Sequence, residues 1–154
     1  TTKRDGSTCN LTRESLIRAL AVRPWNAKMK VLAWKFADCQ KKFSNHSGSF
    51  YGPLYQEYKK RLEARNERGD FVDAAKEGSS RVGRTTEAYG YYIKGRLPPG
   101  HLDARALRWL AKLFLSHWHT VQYQSEFGKE PPKLYSIAIL GHAHEIKPPN
   151  WPMA

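Results

Sequence analysis

Lysine and arginine side chains offer the clearest binding chemistry in this sequence, because they are numerous and concentrated in one region. The chain has 26 Lys and Arg residues against 14 Asp and Glu, which gives a formal net charge of +12. Residues 23–69 contain 11 of the basic residues and 4 of the acidic ones, so more than half of the excess lies in one third of the chain. Ammonium and guanidinium groups neutralise phosphates, and the release of counterions favours binding. A localised excess of this kind predicts a surface that binds a polyanion.

The residues predicted to contact phosphates lie on two helices and in one loop. Residues 59–65 contain four of them within about two helical turns, so these side chains can form one stripe. The loop at 79–84 (SSRVGR) is small and basic, and it lacks the Gly-Lys-Ser/Thr ending of a Walker-type phosphate loop. The candidate nucleic-acid-binding residues are Lys28, Lys35, Lys41, Lys42, Lys59, Lys60, Arg61, Arg65, Arg68, Arg81 and Arg84.

Four of the six histidines form two His-x-His pairs, which are candidates for a metal site. On a helix, His117 and His119 diverge by about 200° and cannot bind one metal ion together. His117 falls on an apolar stripe, where the simplest expectation is a hydrogen-bonded core histidine. On a strand, His142 and His144 would point to the same side, and with Glu145 they are the candidate metal ligands. No metal or other cofactor is favoured.

The sequence His-Ala-His at 142–144 resembles the metal-binding motif of the HUH nucleases, which combine such a pair with a nucleophilic tyrosine. The resemblance implies a metal-dependent nuclease or transposase that processes DNA. That family has a central antiparallel sheet, whereas this chain offers one candidate strand. Other catalytic patterns are poorly supported, since the carboxylates are scattered and no Gly-x-Ser-x-Gly, zinc-finger or CxxC spacing occurs. The favoured hypothesis is a protein without catalysis of its own.

The sequence predicts neither a membrane protein nor a disulfide scaffold. No apolar run approaches the roughly 20 residues of a membrane span, and the N-terminal sequence TTKRDGSTCN lacks the apolar core of a signal peptide. Cys9 and Cys39 have neither scaffold nor metal spacing. We therefore expect a reduced, cytoplasmic protein, with a single disulfide as the alternative.

One long helix is expected to organise the fold. Residues 103–127 contain no Gly or Pro, and their apolar residues recur at helical spacing. Asp103 is the predicted N-cap, and Gly128 follows the last periodic residue. The side chains predicted to be buried are Leu110, Phe114, Trp118 and Val121.

A second helix, predicted from Pro24 to Phe43, has an apolar seam with two positions in each heptad. Pro24 suits the first position of a helix. This seam is expected to pack within a helical bundle, against the long helix. The seam consists of Trp25, Met29, Leu32, Phe36, Cys39 and Phe43.

Shorter helices are expected near residues 12–21, 53–68, 70–78 and 86–94. Leu134–Leu140 (LYSIAIL) is a candidate strand, although a buried turn of helix would have the same pattern. Three prolines interrupt the tail, and Trp151 is expected to dock it onto the body. The prediction is a mainly α-helical, single-domain bundle over 1–154. It has about five or six helices, a possible short strand near the C-terminus, and extended termini at 1–9 and at the Pro-rich 147–154.

These features predict a nucleic-acid-binding helical subunit of a larger nucleoprotein complex. Small subunits of CRISPR effector complexes and accessory proteins of mobile elements are comparable in class and charge. The expected partners are DNA or RNA and other protein subunits, with no membrane. One alternative is the metal-dependent DNA-processing enzyme that uses His142 and His144. Another is a protein-interaction subunit whose aromatic residues fill a hydrophobic interface.

Overall fold

The elements whose bounds are defined in the computed structural model are all helices. The model describes residues 12–14, 17, 26–133, 135–139, 141 and 145–151. These residues contain no strand, and Arg13, Glu14 and Ile17 are also helical. The prediction of a mainly α-helical fold is therefore confirmed. The helices are α1 (Ala27–Lys42), α2 (Tyr51–Glu67), α3 (Val72–Ser79), α4 (Glu87–Tyr92), α5 (Pro99–Phe127) and α6 (Tyr135–Ala138).

Contacts divide the chain into two compact units, Thr1–Val31 and Leu32–Ala154, and the division falls inside α1. In the first unit, Asn26 caps the start of α1. Its Oδ1 accepts hydrogen bonds from the backbone amides of Lys28 and Met29, at 3.0 and 3.2 Å. Asparagine is among the best N-cap residues, and α1 begins at Ala27. The predicted start, Pro24, lies outside the described residues. The single-domain organisation stays a prediction.

The core of the second unit lies where α2 packs on α5. Leu110 of α5 is fully buried, and Leu62 of α2 is nearly so. Asn66, near the end of α2, donates to the carbonyl of Leu97 at 3.0 Å and accepts from its amide at 2.8 Å. Tyr51, at the start of α2, contacts the C-terminal half of α5. The two helices therefore run antiparallel.

α5 begins four residues earlier than predicted, because Pro99 occupies its first turn. Proline suits that position, since its missing N–H would have no helical partner there. Asp103 is therefore not the N-cap, and its carboxylate is free to contact other helices. Gly128 ends α5 in the left-handed conformation, at φ 60°, as its position in the sequence predicted.

The predicted burial along α5 is correct for its first half only. Leu110 is buried, Phe114 and Val121 are half-buried, and Trp118 is 43% exposed. α2 starts at Tyr51, which lies beside His117 of α5. His117 is buried at this level, whereas the next residue, Trp118, projects about 100° away around the helix and is exposed, so the prediction for Trp118 was wrong.

The predicted seam of α1 is also wrong within the second unit, apart from Phe36. The ring of Phe36 stacks on Phe114 with centroids 3.7 Å apart. Leu32 and Phe43 are 61% and 60% exposed, and Cys39 is exposed as well. The buried positions are Ala33 and Ala37. Ala37 belongs to the same buried cluster as Tyr55 and Leu107.

The α3–α4 hairpin connects the two long helices. α3 and α4 pack closely at Gly78, where a side chain would collide with the ring of Tyr92. Thr86 caps α4, because its Oγ1 accepts a hydrogen bond from the backbone amide of Tyr89 at 3.3 Å. Phe71, just before α3, is buried in the same core. The hairpin thereby places Phe71 and Tyr92 next to α5.

The C-terminal segment contains a short helix where a strand was possible. Residues Tyr135–Ala138 form a helical turn, so the strand is wrong for them, and Leu134 and Leu140 lie outside the described residues. A helical turn bonds its backbone locally, whereas a strand needs a partner strand. The indole of Trp151 donates to the side-chain oxygen of Gln124 in α5, and the docking of the Pro-rich tail stays a prediction. No helix in the described part of the chain is long and apolar enough to cross a membrane.

Candidate nucleic-acid interface

The predicted stripe on α2 is largely neutralised by carboxylates. Arg61 binds Glu57 one turn away, at 2.8 Å. Arg65 and Arg68 both bind Asp70, at 3.0 and 3.1 Å. Each of these pairs is exposed to solvent, where an ion pair contributes about 0–1 kcal/mol. A phosphate can therefore compete for these arginines, but it must displace a carboxylate.

Lys59 belongs to a polar cluster that ties three helices together. Asp103 of α5 accepts from Lys41 of α1 at 2.6 Å and from Lys59 of α2 at 3.2 Å. The hydroxyl of Tyr55 donates to the same carboxylate. Burial favours the neutral acid, but the hydrogen bonds from Lys41, Tyr55 and Lys59 outweigh it and lower the pKa of Asp103. Burial and the bond to Asp103 raise the pKa of Tyr55, so Tyr55 stays a donor.

The other predicted residues are scattered over the surface. Lys42 binds Asp38 at 2.7 Å, and Arg81 binds Glu77, in each case within one helical turn. The remaining candidates are exposed and have no ion pair among the described residues. These are Lys28, Lys35, Lys60 and Arg84.

The candidate metal ligands His142 and His144 lie outside the described residues, and Glu145 is exposed. Within the described residues, no group of three or more His, Cys, Asp or Glu side chains could hold a metal ion. His117, from the other pair, is a core histidine as predicted. It is buried, with Nδ1 2.9 Å from the hydroxyl of Tyr51 and Nε2 2.6 Å from the carbonyl of Ile146. Burial lowers the pKa of His117 and so favours the neutral ring.

Sequence reasoning missed a basic face on α5. Its residues recur at intervals of four, three, four and seven, which keeps them within about 40° of one line along the helix. The face extends for about 27 Å. Arg108 and Lys112 are exposed and Arg105 is half-buried, and none of the three has an ion pair in the described part of the chain. The α5 basic face consists of His101, Arg105, Arg108, Lys112 and His119.

The acidic residues of α5 do not neutralise this face. α5 contains only Asp103 and Glu126. The carboxylate of Asp103 points to the lysines of α1 and α2, and Glu126 is about 21 Å beyond Lys112 along the helix. The positive charges near the start of α5 are therefore available to an external anion.

Arginines from α2 and α5 meet at Phe71. The Cζ atom of Arg65 lies 4.9 Å from the centroid of this ring, and that of Arg105 lies 4.8 Å from it. Because each lies within 5 Å of the same centroid, the two Cζ atoms are less than 10 Å apart. Contact with an aromatic ring holds a guanidinium in place without neutralising its charge. Phe71 thus joins the α2 arginines to the α5 basic face.

The imidazole of His101 lies at the start of the α5 basic face and is half-buried. Burial lowers the pKa of His101, and the positive charges of Arg105 and Arg108 lower it further. Its Nδ1 lies 3.1 Å from the hydroxyl of Tyr92. Both effects favour the neutral ring of His101, so Arg105, Arg108 and Lys112 supply the positive charge of the face.

The signal for the α5 basic face was present in the sequence. Residues 98–154 have 6 basic and 4 acidic residues, so counting charge by segment makes this region seem weakly basic. The spacing of Arg105, Arg108 and Lys112 places all three on one side of any helix that contains them. If the charges are assigned to helical faces and are not summed over segments, these three residues are found from the sequence.

Comparison of the chain with protein-family models, with curated proteins and with solved structures found no match.

Proposed function

We propose that this protein binds nucleic acid as a helical subunit of a larger nucleoprotein complex. The observation that carries the proposal is the α5 basic face, where Arg105, Arg108 and Lys112 have no carboxylate partner within the described residues. Arg65, which is paired with Asp70, lies beside this surface at Phe71. A subunit of a CRISPR-type effector, or an accessory protein of a mobile element, is a narrower form of the proposal that rests on class and charge.

The proposed contacts are to the phosphate backbone. Arginine presents a planar fork of donors that matches two phosphate oxygens, and lysine acts as a point charge. Backbone contacts of this kind position a protein on nucleic acid and supply affinity, but they carry no sequence information directly. The proposal is therefore for binding with little sequence preference through this face.

A salt series with labelled single- and double-stranded oligonucleotides tests the proposal. We expect the logarithm of the binding constant to fall linearly with the logarithm of salt concentration, by about 0.7–0.9 units for each phosphate contacted. A neutral peptide nucleic acid of the same base sequence is the matched control, and it should not bind. No binding of either oligonucleotide at low salt, or equal binding of the neutral analogue, would contradict the proposal.

A further inference from the structure

A second group of basic residues lines a pocket next to the Asp103 cluster. The pocket has a volume of about 330 Å³ and lies between the end of α1, the turn that follows it, and α2. Its lining includes the side chains of Lys41, Lys59 and Lys60, together with Ser44 and Gln56. Three lysines therefore contribute to the lining of one small, open volume.

The ammonium groups of Lys41 and Lys59 are fixed before any ligand arrives. Each makes one ion pair with Asp103, at 2.6 and 3.2 Å. An ammonium group has three N–H donors, so two remain on each lysine after that contact. Lys60 has no ion pair in the described residues, and all of its donors are available. Fixing the donors in advance reduces the entropy lost when a ligand binds.

Ser44 adds a neutral donor to the same pocket. The side-chain amide of Gln56 donates to Ser44 Oγ at 2.8 Å and to Asn45 Oδ1 at 3.1 Å. Ser44 Oγ is the acceptor in that bond, so its own proton is free to donate to a ligand. Gln56 uses both amide protons in these two bonds, which fixes Ser44 at the pocket wall.

The charges of the pocket select an anion. The pocket is lined by three lysines and Glu63, and two of the lysines are paired with Asp103, which leaves one net positive charge. Asp103 has both oxygens engaged by Lys41, Lys59 and Tyr55, so its charge is already paired. A phosphate monoester carries a charge of about −1.5 to −2 near neutral pH and offers three terminal oxygens to several donors.

From this arrangement, we propose that the pocket is a binding site for a phosphate monoester or free phosphate. An internal phosphodiester carries one charge and has two unesterified oxygens, so it uses the donors less fully. The site does not depend on nucleic-acid binding at the α5 basic face, and each can be tested without the other.

Titration of the full chain with inorganic phosphate, followed by calorimetry or by NMR shifts, tests the site. We expect saturable binding, with a Kd of about 1 mM or tighter. Lys60→Gln should weaken it by about tenfold and Ser44→Ala by a smaller factor, because one charged and one neutral donor are lost. Both variants leave the Asp103 cluster intact, so the fold is preserved. Lys76→Gln removes the same charge from exposed α3 and should leave phosphate binding unchanged.

Oligonucleotides distinguish the source of the phosphate. A 5′-phosphorylated strand that binds more tightly than its 5′-hydroxyl counterpart, with the difference lost in Lys60→Gln, would identify a nucleic-acid end as the ligand. Equal binding of the two strands, with phosphate titration still sensitive to Lys60→Gln, would identify a small phosphorylated molecule. Absence of saturable phosphate binding, or the same affinity in Lys60→Gln and Lys76→Gln, would overturn the proposal.

Discussion

The second half of α2 and the first half of α5 have similar basic residues but differ in what surrounds them. Lys59, Arg61 and Arg65 of α2 each bind a carboxylate. Arg108 and Lys112 of α5 bind none within the described residues. The comparison shows that the charge available to a ligand depends on pairing in the folded chain. The number of basic residues in a segment does not determine it.

The ion pairs of the α2 residues also differ from one another in their exposure to solvent. The ion pair of Arg61 with Glu57 joins two side chains that are 64% and 66% exposed, so a phosphate can replace Glu57 at little cost. Lys59 binds Asp103, whose side chain is 19% exposed, and breaking that contact would leave a partly buried carboxylate without one of its donors. We therefore expect the largest effects on stability at Asp103 and the largest effects on binding at the α5 basic face.

The largest effect is expected from Asp103→Ala. It removes the shared partner of Lys41, Lys59 and Tyr55, and it should lower the free energy of unfolding by about 2–3 kcal/mol, as measured by urea denaturation. The matched control is Glu57→Ala, which breaks an exposed ion pair and should cost less than about 0.5 kcal/mol. Similar costs for the two variants would show that the Asp103 cluster is no stronger than a surface pair.

The next effect concerns nucleic-acid binding. Replacing Arg105, Arg108 and Lys112 with Gln should reduce the salt slope by about two to three units and weaken binding by roughly tenfold or more, because three unpaired charges are lost. The control replaces Lys129, Lys133 and Lys147, which are exposed and lie outside the α5 basic face. Equal losses from the two triple variants would mean that net charge alone drives binding.

A smaller effect is expected in the pH dependence of stability. The pKa of Asp103 is lowered in the folded state, so its contribution is present above the ordinary value of 3.8 and is lost as pH falls through the folded pKa. The difference in unfolding free energy between wild type and Asp103→Asn should be constant near neutral pH and shrink on acidification below that value. Urea denaturation from pH 7 to pH 3 measures it. A difference that grows on acidification would mean that the folded pKa is raised instead.

The parts of the fold that were predictable depend on local signals. The end of α5 at Gly128 and the burial of Leu110 follow from backbone preference and helical period, which short stretches of sequence contain. The orientation of α1 was not predictable in this way. Ala33 and Ala37 are buried whereas the larger Leu32 is exposed, so the larger apolar residues gave a misleading seam.

The candidate site depends on contacts between residues that are far apart in the sequence. Asp103 and Lys41 are 62 residues apart, and nothing near Asp103 in the sequence predicts that it binds a lysine of α1. Asp103 was predicted instead to cap a helix. The same long-range pairing determines which basic residues remain available, so a charge count along the chain placed the predicted stripe on α2 and missed Arg105 and Arg108.

The smallest expected effect comes from that predicted stripe. If each of Lys60, Arg61 and Arg65 contacted a phosphate, replacing them with Gln would reduce the salt slope by about two units or more. The carboxylates of Glu57 and Asp70 already accompany the two arginines, so we expect a reduction of about one unit, mainly from Lys60, and a two- to threefold loss of affinity. Stability should change little, because these pairs are exposed. A loss as large as that of the α5 triple variant would show that phosphates displace the carboxylates freely. Pairing within the folded chain would then not decide which basic residues bind.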